Sequence, residues 1–198
     1  MKKLNGPSFL CLALAGLLAV SAIAQDDGSK NPQVVLETSK GQIVLELYPD
    51  KAPKTVENFL AYVESGFFDG TIFHRVVRDF VIQGGGYTSD FTKKETRPPI
   101  VNEAKNGLSN DRGTISMART NDPDSATSQF FISTKDNPSL DPSAASPHGY
   151  AVFGKVIEGM EVVDAIGTVK TTYKMGMADV PTENVVLTKA VLTKASVK

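Results

Sequence analysis

FHRVVRDFVIQGGG, residues 73–86, sets an arginine and an amide among large apolar side chains where a core strand needs only the apolar ones. Charged side chains are rarely buried without a partner, so Arg75 and Gln83 beside Phe73, Phe80 and Ile82 require an explanation. Residues 71–77 have strand composition, Arg78 and Asp79 interrupt it, and residues 80–83 resume it. The two halves are therefore predicted to pair as a hairpin that brings Arg75 near Gln83. Gly84, Gly85 and Gly86 end the hairpin, since glycine permits positive φ and close approach of another backbone. They do not read as a phosphate cradle, because no helix start with Lys and Ser or Thr follows, and no G-x-S-x-G occurs in the chain. Taken alone, the stretch fits an amphipathic hairpin whose polar side faces water.

The flanking sequence supplies the rest of a β-rich fold. Residues 34–36 and 43–47 are β-forming runs separated by Thr38, Ser39, Lys40 and Gly41, which predicts an opening hairpin. Val56, Phe59, Leu60 and Val63 then fall at helical spacing, with Pro53 suited to a first turn and Gly66 to an end, so a helix is predicted over 53–65. Downstream, strand composition returns at 114–118, 129–133, 150–156 and 185–192. A short helix is predicted over 159–166 with Val162, Val163 and Ile166 inward, and a helical turn over 102–108. Residues 88–99, 119–127, 136–149 and 168–183 read as loops or connections. About eight strands and two helices without internal repeats predict a mainly β domain, a closed eight-stranded antiparallel β-barrel capped by two α-helices. Closure would also remove exposed strand edges.

Composition bounds the function. The 198 residues are 41% hydrophobic and 22% charged, with a formal net charge of -1, as in an ordinary globular protein of about one domain. Its 21 basic and 22 acidic residues form no basic block, so neither a nucleic-acid groove nor an anionic membrane surface is expected as a partner. Residues 1–24 read as a secretory signal: Lys2 and Lys3, an apolar run over 9–20, and Ala22, Ile23 and Ala24 as a cleavage site. The run falls short of the ~20 residues that span a bilayer. Residues 25–32 are polar and rich in turn formers, a flexible leader before a domain over 33–198. Cys11, the only cysteine, lies in the signal, so the exported chain has no thiol and no disulfide framework. No coiled coil or interface stripe is visible, and a monomer is expected.

Nucleophile and metal chemistry find little support. His74 sits beside Arg75 on a core strand and reads as a hydrogen-bonded structural residue; His148 lies in a proline-rich loop and reads as solvated. No spaced ligand cluster occurs, so no metal and no cofactor are expected.

Four strings settle what the opening stretch belongs to: APKTVENF at 52–59, FHRVVRDFVIQGG at 73–85, SATSQFFIS at 125–133 and YAVFGKVIEGM at 150–160. In this order they resemble the cyclophilin-type peptidyl-prolyl cis-trans isomerases, in particular the exported periplasmic bacterial form, over residues 33–192. The resemblance implies an eight-stranded barrel capped by two helices, with a catalytic groove on its outer face. It implies that Arg75 is the catalytic arginine, that Gln83 hydrogen-bonds substrate backbone, and that Phe80, Val81 and Phe131 form the proline pocket. Val81 stands where many members have methionine. Ala118, Arg119 and Gln129 match the lining beside the pocket, Arg119 replacing an asparagine of many eukaryotic members. Leu140 matches the aliphatic wall, and Tyr150 falls where those members carry histidine. Ser139 stands where cyclosporin-sensitive members have tryptophan, which implies weak cyclosporin binding. The implied substrates are Xaa-Pro segments of unfolded or partly folded exported proteins, and the implied location is the periplasm. A binding or chaperone module that holds such segments without turnover is the competing reading.

Overall fold

Alternating apolar residues in two short runs fold the start of the domain into an antiparallel hairpin. In the computed structural model its strands are β1 (Gln33–Thr38) and β2 (Gly41–Leu47), with Val34, Leu36, Ile43, Leu45 and Leu47 all buried. The structure describes Met1 and residues 31–144 and 146–194, so the predicted signal after Met1, residues 25–30 of the leader and the last four residues lie outside the described part. Helix α1 (Pro53–Glu64) follows, started by its proline and stopped before Gly66 at φ 64°. Its inner face is Val56, Phe59, Tyr62 and Val63, while Leu60 packs at the margin of the core.

The remaining main-sheet strands are β3 (Thr71–Ile72), β4 (Arg75–Val77), β5 (Val81–Gly84), β6 (Thr114–Met117), β7 (Phe130–Ser133), β8 (Val152–Glu158) and β11 (Val186–Lys194). They join β1 and β2 in one nine-stranded antiparallel sheet of order β3-β11-β1-β2-β8-β6-β7-β5-β4, which curls as a half-barrel around the core. The predicted closed eight-stranded barrel is therefore corrected to an open sheet of nine strands. The physical reason lies at Phe73 and His74. Residues 71–74 are all buried, so the in-and-out alternation of a strand fails there, and the chain passes from pairing with β11 to pairing with β5.

Two further elements depart from the sequence reading. Residues 168–183, read as connection, contain a separate hairpin of β9 (Thr171–Lys174) and β10 (Met177–Pro181). Residues 102–108 form turns held by Asn102 and Asn106 side chains, with no helix. The second helix, α2 (Met160–Gly167), buries Val163 and Ile166 and half-buries Val162. It is tied to the start of β6 by Arg112, whose guanidinium donates to both carboxylate oxygens of Asp164 at 2.8 Å and to the Thr134 carbonyl at 2.6 Å.

Aromatic rings fill the centre. Phe130 from β7 meets Phe59 of α1 edge-on at 5.7 Å, Phe68 at 5.6 Å and Phe73 at 6.1 Å. The same strand turns Phe131 the other way, out of this cluster, and that alternation sets up the outer face.

Candidate active site

The hairpin of β4 and β5 forms with the predicted juxtaposition: Arg75 lies directly opposite Gln83, Val76 opposite Ile82 and Val77 opposite Val81. Directly opposed residues share a face. Val76 and Ile82 enter the core, which leaves Arg75 and Gln83 half-buried on the outer face. The turn between the strands runs through Arg78 and Asp79, the latter at φ 53°, a conformation aspartate tolerates better than most residues. Pairing of β5 with β7 then sets Gln83 opposite Phe131.

Around this patch a cavity of about 400 Å³ is lined by Arg75, Phe80, Val81, Gln83, Ala118, Arg119, Phe131, Leu140 and Tyr150. Nine of the ten residues singled out from sequence thus meet at one depression. The tenth, Gln129, lines an adjoining polar recess of about 230 Å³ that shares Gln83, Ala118 and Arg119. Val81 and Phe131 are almost wholly buried and make the floor. Phe131 and Tyr150 meet edge-on at 5.6 Å, and the Arg119 guanidinium lies 4.5 Å over the Tyr150 ring. Arg119 is held by its own donations, from Nε to the Gly149 carbonyl at 3.0 Å and from Nη1 to the Thr120 carbonyl at 2.9 Å. It therefore braces the pocket wall.

A line of polar contacts crosses the floor. Arg75 Nη1 donates to Gln83 Oε1 at 3.4 Å, and Gln83 Nε2 donates to Gln129 Oε1 at 3.0 Å. Gln129 also packs on Gly86, where a Cβ would fall 2.6 Å from its Cγ, and a Cβ on Gly85, at φ 81°, would meet the Phe130 ring at 2.9 Å. The glycines that end the hairpin thus admit Gln129 and Phe130.

His74 lies beneath this line. Burial pushes its imidazole from 6.5 down to about 4, the Arg75 charge acts in the same direction, and contacts with the Ile72 backbone and Gln129 only partly offset them. Its ring packs against Tyr87 at 4.7 Å, and its Nδ1 is buried without a hydrogen-bond partner. His74 is a neutral packing group. His148 is exposed, as its loop setting suggested.

Sequence reasoning missed the residues that hold the pocket in shape. Asn137 Nδ2 and the Thr134 N–H both donate to the Phe80 carbonyl, at 3.0 and 2.9 Å. A 3-10 turn, Pro138–Leu140, presents Leu140, whose carbonyl accepts from the Tyr150 N–H at 2.9 Å. Ser139 in that turn is exposed. Buried Asn110 bonds Asp141 and the Tyr150 carbonyl. Asp179, from the unforeseen β9–β10 hairpin, lies 3.8 Å from Arg75 Nε. A buried asparagine in a loop gives no periodic signal, so none of these could be read from pattern alone. Among the described residues no group of three or more His, Cys, Asp or Glu could hold a metal ion, and no helix is long and apolar enough to cross a membrane.

Fold and groove together define a β half-barrel with a solvent-open pocket on its outer face, floored by Val81 and Phe131 and edged by Arg75 and Gln83. The family model for cyclophilin type peptidyl-prolyl cis-trans isomerase/CLD matches residues 33–192. Peptidyl-prolyl cis-trans isomerase cyp18 of Streptomyces antibioticus is 61% identical over 159 residues, covering 79% of this chain and 96% of that protein. Peptidyl-prolyl cis-trans isomerase B of Escherichia coli K12 is 50% identical over 156 residues, covering 78% and 95%. The crystal structure of a Cryptosporidium parvum cyclophilin type peptidyl-prolyl cis-trans isomerase in the presence of the dipeptide Ala-Pro matches with a TM-score of 0.71 at 29% identity, over 82% of this chain and 99% of that one. The chain belongs to the cyclophilin-type peptidyl-prolyl cis-trans isomerases and is an enzyme of that kind.

Proposed function

We propose that Arg75 lowers the barrier to rotation about an Xaa-Pro bond seated in the outer-face pocket, and that the natural substrates are exported, partly folded proteins. Peptide rotation faces a barrier of ~18–20 kcal/mol because the nitrogen lone pair is delocalised into the carbonyl. Proline makes cis accessible yet leaves exchange slow, on the order of tens to hundreds of seconds. At the twisted transition state the imide nitrogen becomes pyramidal and regains its lone pair. It is then an acceptor, and a guanidinium N–H aimed at it forms a hydrogen bond that exists mainly in the transition state, the condition for raising turnover. Arginine, with pKa above ~12, polarises there without giving up its proton.

The observation that supports this reading is the direct opposition of Arg75 and Gln83 across β4 and β5, beside a cavity floored by Val81 and Phe131. The apolar floor holds the proline ring and Gln83 anchors substrate backbone, so that rotation is confined to one side of the bond. No covalent intermediate is needed. Exchange NMR on a short Xaa-Pro peptide tests it: catalytic amounts of protein speed exchange, and Arg75→Ala loses about 10²-fold or more in turnover while staying folded. Equal rates for variant and parent would remove Arg75 from this role; no acceleration by the parent would leave a module that only binds.

Two finer readings accompany it. Weak cyclosporin binding is proposed because Ser139 offers no indole to the ligand, and the reading fails if calorimetry gives tight binding that Ser139→Trp does not strengthen. Export to the periplasm is proposed on the basic start, apolar run and Ala22-Ile23-Ala24 sequence. It is tested by cell fractionation and by whether the mature chain begins at Gln25.

A further inference from the structure

Arg75 is held from two sides. Gln83 Oε1 accepts from Nη1 at 3.4 Å, and the Asp179 carboxylate lies 3.8 Å from Nε. A guanidinium is a rigid planar fork, so contacts at both Nε and Nη1 restrict the rotation of its plane. Asp179 does not reach Arg75 by chance of a long side chain. Its backbone is at φ 60°, outside the conformation of a regular strand, and it lies in the register shift between Met177 and Val180 of β10. A bulge of this kind bends a strand and re-aims a side chain. Val180 and Pro181, immediately after it, are buried, and β10 packs on β4, the strand that carries Arg75. The hairpin is thus anchored at the residue that follows Asp179, and the bulge directs the carboxylate back to the guanidinium. Sparsely populated backbone conformations persist where surrounding structure enforces them, and they gather at functional sites.

We infer that Asp179 is a positioning residue: through its ion pair with Nε it orients the Arg75 guanidinium before substrate binds. The inference rests on the proposed role of Arg75. Both side chains are about two-fifths exposed, 39% and 41%, so the pair adds little to stability. Its effect is directional, because pre-set donors need no reorganisation during the reaction.

The test uses Asp179→Asn, which keeps the side-chain shape and tolerates positive φ but removes the charge. In peptide exchange NMR its kcat is expected to fall roughly three- to fivefold with KM within about twofold, the size an exposed ion pair supports. A second readout is the Nε–Hε NMR signal of Arg75, assigned by its loss in Arg75→Ala. It is expected to shift and broaden in Asp179→Asn as the guanidinium rotates more freely. Asp179→Asn with the parent's kcat, or with lowered kcat and an unchanged Nε–Hε signal, overturns the inference. If Arg75→Ala itself turns over like the parent, the arginine reading fails instead, and the two failures are told apart by that one control.

Discussion

His74 is the residue whose chemistry departs furthest from its ordinary state. Its folded pKa of about 4 lies below the unfolded 6.5, so between those values the unfolded chain binds a proton that the folded chain refuses. Stability from this group is present above about pH 6.5 and is lost as pH falls toward 4, by an amount on the order of 3 kcal/mol. Urea unfolding at pH 7 and pH 4.5 should show this loss, and His74→Gln should show a smaller one. Identical pH dependence in the two proteins would remove His74 from the account. From the sequence, His74 was legible as structural, but the lack of a partner at Nδ1 was not, because that depends on how Tyr87 and Gln129 pack over it. Asp179 marks the same limit more sharply. An aspartate in a polar stretch gives no sign of its φ or of the arginine it faces, while Arg75 and Gln83 announced themselves by standing among apolar neighbours.

At the scale of elements, the β4–β5 hairpin was readable because Arg78 and Asp79 punctuate it and fix a register that opposes Arg75 and Gln83. Helix α1 was readable from apolar spacing and from its proline. The β9–β10 hairpin was not, since every residue of β9 is exposed and a strand without a buried face shows no alternation. The glycine-ended exit of β5 supports a prediction here. Adding a Cβ at Gly86 displaces Gln129, which then releases Gln83 Nε2. Gly86→Ala is expected to lower turnover by roughly three- to tenfold, as one lost orienting hydrogen bond would. The flexible Gln129 side chain can move aside, so urea unfolding should change by only about 1 kcal/mol, at the low end for overpacking. Turnover equal to the parent's would show that the Gln83–Gln129 contact does not matter.

Across the whole molecule, one aromatic cluster joins the first helix and the segment after it to the middle of the sheet. Phe130 touches Phe59, Phe68 and Phe73, drawn from α1, the turn after it, and the break between β3 and β4. Phe130→Ala should therefore cost about 3–5 kcal/mol, measured as a lower urea midpoint with one cooperative transition. A loss under about 1 kcal/mol would mean that the cluster is not the centre of stability. That cluster and the outward turn of Phe131 come from one alternating strand, which is why core and pocket were both visible in SQFFIS while the open ends of the sheet were not.

Those ends carry a further consequence. Unpaired strand edges recruit other extended chains, second copies of the same sheet included. Here the terminal strands β3 and β4 are only two and three residues long and are separated by just Phe73 and His74. The outer side of β3 is met by Tyr87 and Thr88, and β4 is packed by β10. Little ladder is left for another extended chain to join, so the open sheet offers almost no template for aggregation at its ends.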